Sequence, residues 1–187
     1  AGIPVDSEYI IFIIDTSGSM QQYNWDRVQR KLTETLDVYP QVKGLQIMND
    51  NGSYMFSQYA GKWIPDTPGR REAIKNTMRL WRPFSDSNPV DGIIYAISTY
   101  WSPDKKISIY VLGDEFQGGS MESVLRQIDR VNIEDENGDR RVRIVFDREG
   151  WSRELFNDLL RLNFDFITYR KGNYEPLPES DFEAVAL

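Results

Sequence analysis

The chain has 187 residues, 40% of them hydrophobic and 27% charged, which suits one globular domain able to bury about two-thirds of its unfolded surface. Its 29 acids against 22 bases leave a net charge of −7, which argues against a phosphate-backbone binder, because that needs a basic face. Cysteine and histidine are both absent, so disulfides, thiolate chemistry, Ser-His-Asp and Cys-His catalysis and His- or Cys-bearing zinc motifs are excluded.

In chain order, strand-like apolar runs alternate with helix-like periodic ones. Tyr9 to Ile14 is apolar on both faces, as a central parallel strand requires. Trp25, Val28, Leu32 and Leu36, at spacings of three and four, predict a helix over about Asn24 to Leu36. Leu45 to Met48 reads as a second strand. Asn51-Gly52 is a hairpin turn signal, with Tyr54 to Phe56 as the returning strand. Thr67-Pro68 opens a helix that could run to Trp81, since Pro is tolerated in a first turn. Arg82 to Asn88 is loop, and Pro89 starts a helix to about Trp101. Ile107 to Leu112 is a buried strand, Ser120 to Val131 a helix, and Val142 to Phe146 a strand. Ser152 to Leu162 is a helix, Phe164 to Tyr169 a last strand, and residues 173–187 an irregular tail. The pattern predicts a single domain over 1–187 with its core at about 7–172. Its fold class is α/β, a doubly wound, mostly parallel sheet with helices on both faces. No run reaches the roughly 20 apolar residues of a membrane span. No signal peptide is visible, and a start at Ala1-Gly2-Ile3 is compatible with removal of an upstream segment.

In such sheets ligands bind at the carboxyl ends of the strands. Polar clusters stand there: Asp15-Thr16-Ser17-Gly18-Ser19 after the first strand, and Gly113-Asp114-Glu115 after Ile107 to Leu112. A third, Ser85-Asp86-Ser87-Asn88, lies in the loop before a helix. All offer hard oxygen donors and no soft ones, which suits magnesium, with manganese or calcium as further possibilities. In Asp15-x-Ser17-x-Ser19, Gly18 is expected to let the backbone turn over the strand end so that alternate side chains converge. Elsewhere, Asp135, Asn137 and Asp139 alternate like the start of a calcium loop, but Arg140 and Phe146 stand where that loop needs Gly and Glu, so a solvated turn is expected. The large aromatics Trp25, Tyr39, Trp63, Trp81, Tyr100 and Trp101 are expected to be core or half-buried.

Phe12 to Met20 resembles the metal-ion-dependent adhesion site of von Willebrand factor type A (VWA) domains, whose pattern is Asp-x-Ser-x-Ser after the first strand. Asp114 matches the family's later Asp. Ser87 stands where the family has Thr, and an alternative register places Asn88 there. The resemblance spans roughly residues 7 to 145. It implies that Ser17, Ser19 and Ser87 touch one Mg2+ directly while Asp15 and Asp114 hold it largely through water. One position is then left for an Asp or Glu of a protein ligand. It implies no enzyme activity, no nucleic-acid partner, and an adhesion or assembly role. A bacterial periplasmic or extracellular setting is slightly favoured over the cytoplasm.

From Val145 the ending departs from that family. Val145 to Ser152 and Phe164 to Gly172 resemble part of a DDE-type transposase core, under 40 residues in all. The plain reading of this segment is that it completes the sheet. The alternative it raises is a metal-dependent phosphodiester enzyme using Asp15, Asp114 and Asp147.

Overall fold

The computed structural model describes residues 7–113, Arg126, Arg130, 142–146 and 166–167. Five parallel strands form one sheet: β1 (Tyr9–Ile14), β2 (Gly44–Asn49), β3 (Ile107–Leu112), β4 (Val142–Phe146) and β5 (Phe166–Ile167), in the order β2-β1-β3-β4-β5. Tyr9 pairs with both Gly44 and Ile107, so β1 lies between β2 and β3 in matched register. From β1 the chain crosses to one side to form β2, then returns past β1 to form β3. The order therefore reverses between β1 and β3, and their carboxyl ends flank the crevice where such sheets take ligands.

The period-two alternation of β1 feeds two cores. Ile11 and Ile13 face helix α3 (Pro89–Tyr100) and pack with its Val90, Ile93, Ala96 and Ile97. Ile10, Phe12 and Ile14 face the other way, toward Trp25, Val28, Leu32 and Leu36 of α1 (Trp25–Val38) and Ile74 and Met78 of α2 (Pro68–Met78). Helices thus cover both faces, and the sheet is doubly wound as its sequence pattern predicts. α2 is capped by the Thr67 side chain, which accepts from the Arg70 N–H with Pro68 in the first turn. It stops at Met78, short of the expected Trp81, where a turn takes over. Among the described residues no helix is long and apolar enough to cross a membrane.

The C-terminus of α1 is tied to the start of α2 by one side chain. Arg71 donates to the carbonyl oxygens of Leu36, in the last turn of α1, and of Tyr39 and Pro40 just beyond it. It also forms a two-pronged pair with buried Asp66, at 2.7 and 2.6 Å.

Three expectations differ in detail. The turn at Asn51-Gly52 is present, with Gly52 at φ +79°. The returning strand is reduced to the bridge Met48–Tyr54, however, and a 3-10 turn at Ser57–Tyr59 follows. The lead into α1 is a π-helical stretch, Met20–Asn24. Gly18 has no left-handed backbone, and a Cβ added there would meet nothing within 4 Å. The chain turns over the end of β1 by starting this helix at once, with Ser19 already at φ −62° and ψ −46°. The large aromatics hold to expectation: Trp25, Tyr39 and Tyr100 are buried, and Trp63, Trp81 and Trp101 half-buried. The helix expected over 152–162, the polar turn at 135–140 and the tail lie outside the described residues.

Candidate functional site at the ends of β1 and β2

Asp15 is the first residue beyond β1 and is 1% exposed. Its N–H bonds to Leu112 O at 2.9 Å, carrying the β1–β3 ladder one step past the strand. Its Oδ1 accepts from the Ser17 N–H at 2.8 Å, closing a tight local turn. Its Oδ2 accepts from the Ser87 hydroxyl at 2.5 Å, across 72 residues of chain. The Ser17 and Ser19 hydroxyls lie 3.2 Å apart, Ser17 buried and Ser19 exposed. The folded chain therefore gathers Asp15, Ser17, Ser19 and Ser87 on one spot.

Ser87 reaches that spot because its whole loop is pinned. Gln21 Nε2 donates to Pro83 O, and Asn49 Nδ2 to Phe84 O. The Thr16 N–H donates to Ser85 Oγ at 3.0 Å, and the Asn88 N–H to Asp50 Oδ2 at 2.8 Å. Within this clamp Ser87 is held at φ +60°, the one non-glycine residue with positive φ among those described. Such a backbone costs an L-residue about 1–2 kcal/mol, so the neighbouring bonds must impose it. Between the two candidate loop residues, Ser87 is the one that meets Asp15. The Asn88 amide instead donates to Asp91 Oδ2 on α3.

Asp50 went unnoticed in the sequence because Asn49-Asp50-Asn51-Gly52 reads as a hairpin turn. Yet it is fully buried, and its N–H bonds to Ile14 O, which sets it beside Asp15. Burial raises its pKa above the usual carboxylate value; the Ser85 hydroxyl opposes this and the nearby charge of Asp15 adds to it. Its Oδ1 has no hydrogen-bond partner. Asn49 is a second unforeseen member: its Oδ1 takes the N–H groups of Asn51 and Ser53, and its Nδ2 holds Thr16 and Phe84. An Asn-Asp pair at the carboxyl end of a strand was the signal available.

The end of β3 meets the same spot. A Cβ on Gly113 would lie 3.2 Å from Asp15 Cβ. The expected ligand Asp114, together with Glu115 and Asp147, lies outside the described residues. Among the described residues no three acidic side chains converge in a way that could hold a metal ion. What converges is a pair of buried carboxylates and three hydroxyls. On the Ser87 loop Phe84 is 75% exposed, although its backbone carbonyl is held by Asn49.

No protein-family profile matches the chain, and no curated protein matches it in sequence. Solved structures do match its fold. A von Willebrand factor type A protein from Catenulispora acidiphila aligns over 88% of this chain with a TM-score of 0.60 and 14% identity. The pilus adhesin SpaC from Lactobacillus rhamnosus GG aligns over 89% with a TM-score of 0.51 and 11% identity. This chain spans 39% and 29% of those two chains. At such identities the likeness is one of fold: the chain has a VWA-like fold.

Proposed function

We propose that this chain is a protein-binding domain of adhesion or assembly type that captures a carboxylate of its partner through one bound Mg2+, and that it is not an enzyme. The observation that carries this reading is the convergence of Asp15, Ser17, Ser19 and Ser87 at the switch point of a VWA-like sheet. Kinship of fold with a pilus adhesin supports the same role.

The donor set fits a small hard cation. Two buried carboxylates, Asp15 and Asp50, repel one another, and among the described residues neither has an ion pair. Buried charges in that state call for a counter-charge. The Asp50 Oδ1 lone pairs lack a donor, and oxygen-only donors select magnesium or manganese. In the proposed site Ser17, Ser19 and Ser87 hold the ion through their hydroxyls, and Asp15 and Asp114 largely through bound water. Neutral hydroxyl ligands leave the ion's charge poorly compensated, so that it attracts a partner's Asp or Glu. The pinned loop keeps the Ser87 hydroxyl in place before the partner arrives, which lowers the ordering cost of binding. Exposed Phe84, on the loop that carries Ser87, would contact the incoming partner, since aromatics serve well as interface anchors.

The test is a pull-down from the native host with and without chelator, using wild type and Asp15→Ala. A partner released by chelator and not captured by the variant is the expected result. A partner retained by Asp15→Ala in chelator places recognition elsewhere.

A further inference from the structure

The fold and the adhesion-site resemblance account for Asp15 and the three serines, but not for Asp50. Burying an aspartate completely beside another aspartate is costly unless something compensates it. Part of that cost is compensated: Oδ2 takes the Asn88 N–H at 2.8 Å, which anchors the residue next to Ser87, and the Ser85 hydroxyl also favours the charged form. The other oxygen, Oδ1, is buried and unpartnered. A carboxylate needed only to hold the loop would be served as well by asparagine, which offers one acceptor oxygen without a charge. The backbone around Asp50 allows it little freedom to move away. A Cβ on Gly92 would come within 2.9 Å of Asp50 Cα and 3.0 Å of its carbonyl oxygen, so α3 rests directly on this residue.

We propose that Asp50 is an additional acid of the cation site, a positioning residue that holds a metal-bound water through Oδ1 while Oδ2 fixes the Ser87 loop through the Asn88 N–H. This rests on the magnesium reading above. Asp50 then couples two tasks in one side chain. It sets the loop hydroxyl in place, and it adds a negative charge behind the water shell on the β2 side, opposite the end of β3. Outer partners of this kind commonly change metal affinity by about 10–100-fold when removed.

The experiment compares wild type, Asp50→Asn and Asp104→Asn, the last an exposed acid near the amino end of β3 that removes the same charge far from the site. Each is titrated with magnesium chloride by calorimetry and melted with and without the ion. Asp50→Asn keeps an acceptor for Asn88 and ends the repulsion with Asp15. Its metal-free Tm should therefore equal or exceed that of wild type, while its magnesium affinity falls at least tenfold and its magnesium-induced rise in Tm shrinks. Asp104→Asn should match wild type in both. If Asp50→Asn melts lower in both conditions and binds magnesium within twofold of wild type, Asp50 only holds the loop and the proposal is overturned. Asp50→Ser, which also offers Asn88 an acceptor, repeats the comparison should the amide destabilise the fold; a full magnesium response there overturns it equally. If wild type itself does not bind magnesium, the metal reading fails first and takes this proposal with it, a result distinguishable from failure of Asp50 alone.

Discussion

Replacing Ser87 separates the demands of its backbone from those of its hydroxyl. Held at φ +60°, the residue carries the left-handed penalty of about 1–2 kcal/mol. Glycine escapes that penalty but loses about 0.5–1 kcal/mol through the greater freedom of its unfolded chain. Both Ser87→Ala and Ser87→Gly remove the hydroxyl donated to buried Asp15, a bond to a charged group that contributes about 1.5–3 kcal/mol. The alanine variant suffers that loss in full. The glycine variant recovers roughly 0.5–1 kcal/mol of it, equivalent to about 1–4 °C in Tm for a domain of this size. The expected order in chelator is therefore wild type above Gly above Ala. Threonine has the family's hydroxyl, but a β-branched residue at positive φ is an outlier, so Ser87→Thr should melt below wild type. That reverses what the family pattern alone suggests, and it supplies a physical reason for serine at this position. Urea unfolding of the four proteins in chelator measures the series. An alanine variant as stable as the glycine one, or a threonine variant above wild type, would refute the clamped backbone.

Other consequences are as direct. Arg71→Ala should cost about 3–5 kcal/mol, because it strands buried Asp66 and uncaps α1; Arg71→Lys should rescue little, since an ammonium lacks the planar fork; thermal melts measure both. Burial alone would raise the Asp66 pKa, but Arg71 and the Val42 N–H outweigh it and hold the carboxyl below its usual value. Its contribution is therefore complete above the unfolded pKa of about 3.9 and lost as pH falls through the lower folded value; Asp66→Asn should flatten the stability profile below about pH 4. Gly92→Ala should destabilise by about 1–3 kcal/mol despite alanine's helix propensity, because its Cβ meets Asp50 and Ile13 at 2.9 to 3.0 Å. Gly18→Ala, with open space and helical neighbours, should be neutral or gain up to about 1 kcal/mol. Urea titrations of the two alanine variants distinguish these opposite signs.

The strands were legible because β1 is an unbroken apolar run and β3 and β4 each carry a single polar residue, Ser108 and Arg143, between apolar ends, and all three strands begin and end where those runs do. Helix ends were less legible. A periodic pattern continues past Met78 to Trp81, but the Arg79 and Leu80 N–H groups bond three residues back, to Asn76 O and Thr77 O, and α2 gives way there to a tighter turn. The carboxylate-hydroxyl half of the candidate site was readable from Asp15-x-Ser17-x-Ser19, since those residues are local to one strand end. Asp50 was not, because its role depends on β2 pairing with β1 in a register that sets Asn49 against Ile14. The same holds for Gln21, Asn49 and Thr16, whose bonds to the Ser87 loop span 35 to 69 residues. Ordinary polar residues become a clamp only when the sheet has formed.

The central claim is that Asp15, Ser17, Ser19 and Ser87 surround one cation. Diffraction from crystals grown with manganese chloride, recorded at wavelengths on either side of the manganese absorption edge, tests it most directly, because the anomalous signal locates the metal without reference to any expected ligand. The account predicts a single strong peak at bonding distance from the hydroxyls of Ser17, Ser19 and Ser87, with Asp15 beyond a layer of water. Two peaks bridged by carboxylates, or crystals with an intact sheet and no peak at the end of β1, would contradict it.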